Sequence, residues 1–177
     1  MSFSIRPSTA DDVAAIGAIY AWNVRHGTGT FEIDPPDPAE IARRRDDVLS
    51  KGLPWLVAER DGVVLGYAYA NHFRPRPAYR FFLEDSIYLA ADAQRQGIGR
   101  ALLGELLARC EAAGARQVLA VIGDSANAGS VQLHRALGFE DAGLLRSAGW
   151  KFGRWLDVVL MQKALGAGDR NPAPEGR

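Results

Sequence analysis

The chain has 177 residues with 21 basic and 21 acidic side chains, and 47% of it is hydrophobic, which fits one globular domain with its own core rather than a disordered chain. The balanced charge provides no field to draw in nucleic acid or an anionic membrane, and no apolar run reaches the roughly 18–20 residues of a membrane span. A single cysteine excludes an intramolecular disulfide framework and suits a reducing cytoplasm, the expected location; Asp11 and Asp12 stand where a signal peptide would need its apolar stretch.

Residues Ser2–Arg6 read as a first strand. Thr9 with Asp12 three residues on is a capping box that opens a helix, and Val13, Ile16, Ile19 and Tyr20 recur on one face of it. The stretch His26–Asp37 is a loop too long for a simple connector. Asp37 then caps a second helix, with Pro38 at its first position and Glu40 at its third. Two strands, Pro54–Glu59 and Val63–Asn71, flank Asp61-Gly62, a two-residue hairpin signal. Prolines 75 and 77 break the pattern before a strand at Phe81–Leu89.

The clearest helix runs from Ile98 to about Ala113, with Ile98, Leu102, Leu103, Leu106, Leu107 and Cys110 as its apolar stripe. A strand at Gln117–Ile122 follows, then a short helix ending at Leu137, where Gly138 and Phe139 fit a left-handed cap. Strands near Phe139–Arg146 and Phe152–Lys163 close a single domain over residues 1–165, and residues 166–177 are expected to be a disordered tail. The order β-α-α-β-β-β-α-β-α-β-β predicts a mixed α/β sheet, antiparallel in its first half.

Gln94-Arg95-Gln96-Gly97-Ile98-Gly99-Arg100 lies between a strand and the strongest helix. Glycines there let backbone N–H groups turn outward beside a helix N-terminus, which suits an anion such as phosphate, and Arg95 and Arg100 add charge. The bland alternative is a glycine-rich turn with no ligand. No Lys-Ser/Thr follows, so it is not a P-loop. A dinucleotide site would want a small residue where Leu102 stands, although Asp124 falls about where a ribose-binding acid would.

The segment resembles the Q/R-x-x-G-x-G/A pyrophosphate loop of the GCN5-related N-acetyltransferases. The similarity extends from Ile5-Arg6 to about Met161 through Glu84-Asp-Ser-Ile-Tyr-Leu89, Asn127–Phe139 and Lys151-Phe-Gly-Arg-Trp-Leu-Asp157. It is strongest to the phosphinothricin and methionine sulfoximine/sulfone acetyltransferase branch. The resemblance implies a mostly antiparallel sheet flanked by about four helices and splayed between the Phe81–Leu89 and Gln117–Ile122 strands. It also implies acetyl-CoA as co-substrate, a small amino-acid-like acceptor and a homodimer.

Carried over residue by residue, it implies that backbone groups of Ile87, Tyr88 and Leu89 receive the pantetheine arm. Arg95, Gln96, Gly97, Ile98, Gly99 and Arg100 would hold the pyrophosphate. Asn127 would bind the same co-substrate, or serve only as a helix cap. Glu84 is the candidate base for the amine, since burial in a strand would raise its pKa towards the working range; a solvent-facing carboxylate is the alternative. An N–H of the splayed strand, that of Leu89, would stabilise the oxyanion. His134 stands where many relatives place a tyrosine that protonates the leaving thiolate, so it would act as acid, bind the co-substrate or only pack.

For the acceptor, Arg74, Arg76 and Arg80 cluster before the Glu84 strand, and arginine suits a bidentate grip on a carboxylate. The resemblance supports Arg74. Phe31, with Thr30 and Glu32, would wall the pocket, and Lys151, Trp150 and Phe152 would reach it. Cys110 reads as core, and His26, His72 and His134 show no metal-ligand spacing, so no metal is expected. Alternatives are acetyl transfer to a protein N-terminus or an aminoglycoside, and a non-catalytic acyl-CoA-binding module.

Overall fold

The computed structural model describes residues 2–173. The strands are β1 (Ser4–Pro7), β2 (Trp55–Arg60), β3 (Val63–His72), β4 (Phe82–Leu89), β5 (Gln117–Gly123), β6 (Glu140–Lys151) and β7 (Arg154–Ala164). The helices are α1 (Val13–His26), α2 (Pro38–Ser50), α3 (Ile98–Ala112) and α4 (Ala128–Ala136). One seven-stranded sheet runs β1-β2-β3-β4-β5-β7-β6. Every neighbouring pair is antiparallel except β4 and β5, which are parallel.

Local chemistry explains the sharp boundaries. The Asp37 carboxylate accepts the Glu40 N–H at 2.7 Å ahead of Pro38, a cap worth about 1 kcal/mol. Asp61 and Gly62 both take positive φ, 51° and 79°, the pair of angles that a two-residue hairpin needs. At the end of α4 the Phe139 N–H reaches the His134 carbonyl at 3.1 Å and the Gly138 N–H reaches that of Arg135 at 3.0 Å. With Gly138 left-handed, that is a Schellman cap, and it folds Phe139 into the core.

Alternation along the strands sorts two cores onto the two faces of the sheet. Tyr67 and Tyr69 face α1 and α2, stacking with Trp55 at centroid distances of 5.9 and 4.1 Å. Tyr20 of α1 meets Tyr88 edge-on there, 4.9 Å away. Gly66, Ala68 and Ala70 face α3, whose apolar stripe is buried throughout. Small residues on β3 let that helix approach, and a Cβ on Gly66 would lie only 2.4 Å from Leu89.

The C-terminal region departs from expectation. β6 does not stop at Arg146 but runs on to Lys151, past register breaks at Asp141/Gly143 and Leu145/Gly149 and a left-handed Ser147. These bulges interrupt the alternation that marks a strand in sequence. β1 begins at Ser4 rather than Ser2. Leu165, the last residue of the expected domain, is buried, and in the segment expected to be a disordered tail the carbonyls of Gly168 and Asn171 accept from Arg116. Residues 174–177 lie outside the described residues.

Candidate active site

The sheet opens where the resemblance implies. β4 pairs with β5 from Phe82 to Asp85, opposite Gln117 to Ala120, and beyond Asp85 the two strands part. Their gap is a cleft of about 760 Å³ bordered by β4, β5, the 94–100 turn, α4 and the end of α1. Hydrogen bonds Phe73 N–H to Phe82 O and Ala90 N–H to Leu65 O fix the phase of the β3–β4 ladder. That phase turns the backbone groups of Ser86 and Tyr88 towards β3 and those of Ile87 and Leu89 into the cleft. The Leu89 carbonyl accepts from Asn23 Nδ2 of α1 at 3.2 Å. The polar groups offered to an incoming chain are thus the Leu89 N–H and both backbone groups of Ile87.

Arg95 and Gly97 are left-handed, at φ 58° and 80°, and they bend the chain so that α3 starts at Ile98 with its first N–H groups aimed at the cleft. Arg95, Gly97, Gly99 and Arg100 border the cleft. Gln96 instead turns away, donating to the Asp92 carbonyl and accepting from Arg60, and the Ile98 side chain is fully buried in the core. Of these two residues only the backbone is left to face the cleft. Asn127 is the helix cap, its Oδ1 accepting the Ser130 N–H at 3.3 Å, and it also lines the cleft. Asp124 lines the cleft too, with both carboxylate oxygens already partnered: they accept from the Ala126 N–H at 3.0 Å and from Arg154 at 2.6 Å.

One wall of the cleft is the loop after α1, through Gly27, Thr28 and Gly29. It is fastened from behind. Lys151 Nζ donates to the carbonyls of Gly27 (2.9 Å) and Thr30 (2.8 Å), and Tyr20 and Thr30 share a hydroxyl hydrogen bond of 2.8 Å. Arg44 holds Glu32 at 2.5 Å. Phe31 lies across two glycines, since a Cβ on Gly149 would fall 2.4 Å from its ring and one on Gly123 2.9 Å from it. Lys151, expected to contact the acceptor, is only 3% exposed, and burial lowers its pKa. It is a loop anchor, because its ammonium already points at two carbonyls.

Glu84 lies on the opposite face of β4 from the α3 core, beside Tyr69 and level with Asn71 of β3 and Leu119 of β5. It is half-buried, and burial raises its carboxyl above the usual range, with Asp85 adding to the effect and Arg74 opposing it. Arg74 stacks on Phe73 and Arg80 on Phe81, at 4.7 and 4.4 Å; both, like Arg76, are exposed. Glu84, Phe31 and Arg74 therefore belong to the face across the strand from α3 and α4.

His134 is buried on the α4 side. Its Nε2 meets Asp85 Oδ2 at 3.0 Å and its Nδ1 meets the Ser130 carbonyl at 2.8 Å. Burial alone would lower its pKa, but the Asp85 hydrogen bond and charge, with the Ser130 carbonyl, outweigh burial and raise it. Asp85 was not anticipated from sequence. The available signal was a second charge on a strand between two others, which needs a partner. The Cys110 thiol is pushed up to about 12 by burial and by Asp85, so it carries no thiolate to react. Among the described residues no group of three or more His, Cys, Asp or Glu side chains gathers where a metal ion would bind.

Comparison with known proteins agrees with this geometry. The chain is 58% identical over 166 residues, 94% of its length, to a phosphinothricin N-acetyltransferase of Alcaligenes faecalis, of which it covers 84%. It is 40% identical to an L-methionine sulfoximine/L-methionine sulfone acetyltransferase of Pseudomonas aeruginosa, over 93% of this chain and 96% of that one. A crystal structure of a phosphinothricin acetyltransferase from Sinorhizobium meliloti in complex with AcCoA superposes with a TM-score of 0.96 at 48% identity, covering 99% of this chain and 95% of the other. Residues 16–139 match the acetyltransferase (GNAT) family. With most of the chain matched and the splayed sheet in place, the protein belongs to the GNAT family of acetyltransferases.

Proposed function

We propose that the protein transfers the acetyl group of acetyl-CoA to the α-amino group of a small amino acid or analogue of the phosphinothricin or methionine sulfoximine/sulfone type. The observation that carries this reading is the half-buried Glu84, its pKa raised, on the sheet face opposite α3 and α4. The pantetheine arm enters the cleft from the α3 and α4 side and pairs with backbone groups of Ile87 and Leu89, while N–H groups from Arg95 to Arg100 hold the pyrophosphate. The amine arrives largely protonated, since a free α-amino group titrates near about 8. Glu84 removes that proton, directly or through a water, and nitrogen attacks the thioester carbon. The Leu89 N–H stabilises the oxyanion, and the C–S bond then breaks to release CoA. Alignment of amine and thioester accounts for much of the remaining acceleration.

Arg74 is the group for the acceptor's carboxylate, supported by its charge beside Glu84 and by the names of the relatives. Phe31 walls the same side. We read the protein as a homodimer, supported by exposed Leu144, Leu145, Trp150, Phe152 and Trp155 on the edge strand β6 and its hairpin with β7. Sedimentation at micromolar concentration tests that, and a monomer removes it. A cytoplasmic location without nucleic-acid or membrane partners is supported by the balanced charge and a buried thiol. Among the described residues no helix is long and apolar enough to cross a membrane.

The deciding experiment is release of free thiol from acetyl-CoA with a panel of amines. Stimulation by phosphinothricin, methionine sulfoximine and methionine sulfone is expected, with little from an aminoglycoside. If CoA raises the melting temperature but no amine stimulates release, an acyl-CoA-binding module replaces this reading.

A further inference from the structure

Trp22 is a large apolar side chain that the core does not use. Helix α1 buries Ile16, Ile19, Tyr20 and Val24, whereas Trp22, off that stripe, is 39% exposed. Trp22 and His26 both line the cleft between β4 and β5. They stand one turn apart on the helix, with ring centroids 5.3 Å from each other and planes tilted by 40°. Neither belongs to the stretches that carry the family resemblance, and no step above uses them.

Two sets of contacts place this pair along the cleft. Asn23, between them in sequence, donates to the Leu89 carbonyl at 3.2 Å, so α1 passes the cleft at the level where β4 ends and the chain leads into the 94–100 turn. After His26 the chain crosses to the β5 side. The Thr28 carbonyl packs so close to Gly123 that no Cβ would fit between them, and a Cβ on Gly29 would lie 3.6 Å from Asn127 Nδ2. The loop thus walls the inner cleft with backbone and glycine, while the two rings border the stretch at the Leu89 level. The arm of CoA has one bulky apolar group, the dimethyl carbon of its pantoyl unit, joined to the pyrophosphate through a single CH2–O link. With the pyrophosphate on N–H groups of residues 95–100 and the arm's amides on Leu89 and Ile87, that carbon falls at the Leu89 level, where the α1 wall carries Trp22.

We propose that Trp22, braced by His26, is a donor-selecting residue: its indole packs on the dimethyl carbon of the pantoyl unit and so favours acyl donors built on pantetheine. The proposal rests on the acetyl-CoA reading above and deepens it, since that reading gives the arm backbone partners only. Hydrogen bonds to Ile87 and Leu89 recognise any amide-bearing arm, whereas an apolar wall recognises the branched one. His26, tilted against the indole, restricts the orientations that ring can take. Covering the indole with methyl groups removes apolar surface from water equally in the ground and transition states, so the contact acts on KM and not on kcat.

The test compares wild type, Trp22→Ala and Trp22→Leu by calorimetry with CoA and by turnover with three donors. These are acetyl-CoA, S-acetylpantetheine, and the acetyl thioester of N-acetylcysteamine, which lacks the pantoyl unit. Trp22→Ala is expected to weaken CoA binding, and to raise KM for the first two donors, by about tenfold. Its kcat should hold and the third donor should not notice the change, while Trp22→Leu should recover most of the loss because it keeps an apolar wall. If Trp22→Ala binds CoA as wild type does, the proposal falls while acetyl transfer stands. If the loss appears with acetyl-CoA but not with S-acetylpantetheine, or if Trp22→Leu recovers nothing, the indole stacks on the adenine instead and the assignment is overturned. Weaker CoA binding in Trp22→Ala, recovered in Trp22→Leu, supports the proposal even if no amine is acetylated, an outcome that would remove the transfer reading alone.

Discussion

Glu84 and Asp85 are neighbours in sequence, yet β4 delivers them to different environments. Glu84 stands half-buried beside Tyr69 and Arg74, its carboxyl raised by burial. Asp85 is enclosed on the far side against the His134 ring, Oδ2 to Nε2 at 3.0 Å. One strand, by alternating its side chains, separates a group suited to taking a proton from a group suited to keeping one in place. Two carboxylates of similar intrinsic acidity thus end in opposite environments on the two faces of one sheet.

The largest expected effect tests the Glu84 side. Glu84→Gln should lower kcat by about 10²–10⁴-fold while calorimetry finds acetyl-CoA affinity unchanged; equal activity would remove Glu84 from the reaction. In wild type, activity should rise with pH through the raised Glu84 pKa, so the acid limb of kcat/KM lies above the usual carboxylate range of about 4.3. A limb at the ordinary value would place the base elsewhere.

The next effect concerns the loop that walls the cleft. Lys151→Met leaves the carbonyls of Gly27 and Thr30 without their donor, at a cost of about 1–3 kcal/mol in stability. Thermal unfolding should show that loss, and KM for acetyl-CoA should rise because the loop lines its cleft. A raised KM for the acceptor alone would instead make Lys151 an acceptor ligand.

The smallest effect reads the Asp85 side through stability. The folded His134 pKa is raised, so the protonated ring favours the native state. That contribution is complete below the unfolded value of about 6.5 and is lost as pH rises through the folded one. Denaturation midpoints measured across this range should fall with pH in wild type and flatten in Asp85→Asn. Parallel slopes would mean that Asp85 does not hold the proton.

Much of the fold was legible because it is written in short-range chemistry. Asp37-Pro38, Asp61-Gly62 and Gly138-Phe139 each force one local geometry, and each appears where expected. The stripe of α3 was equally plain. The length of β6 was not, since its bulges and solvent-facing sides erase the alternation that periodicity needs. The position of Glu84 followed from a motif, but the partners of Lys151 and Asp85 did not. Lys151 reaches carbonyls more than 120 residues away in sequence, and Asp85 meets a histidine 49 residues on. A buried lysine and an exposed one read alike until the chain is folded around them.

Lys151 carries one more consequence. The chain has three lysines, and this one ends against the loop that walls the cleft. Its ammonium donates to two carbonyls from a side chain that is 3% exposed, and in that form it has no lone pair to attack an activated acyl group. The same bonds that brace the loop thereby shield the enzyme from modifying a primary amine of its own beside the cleft.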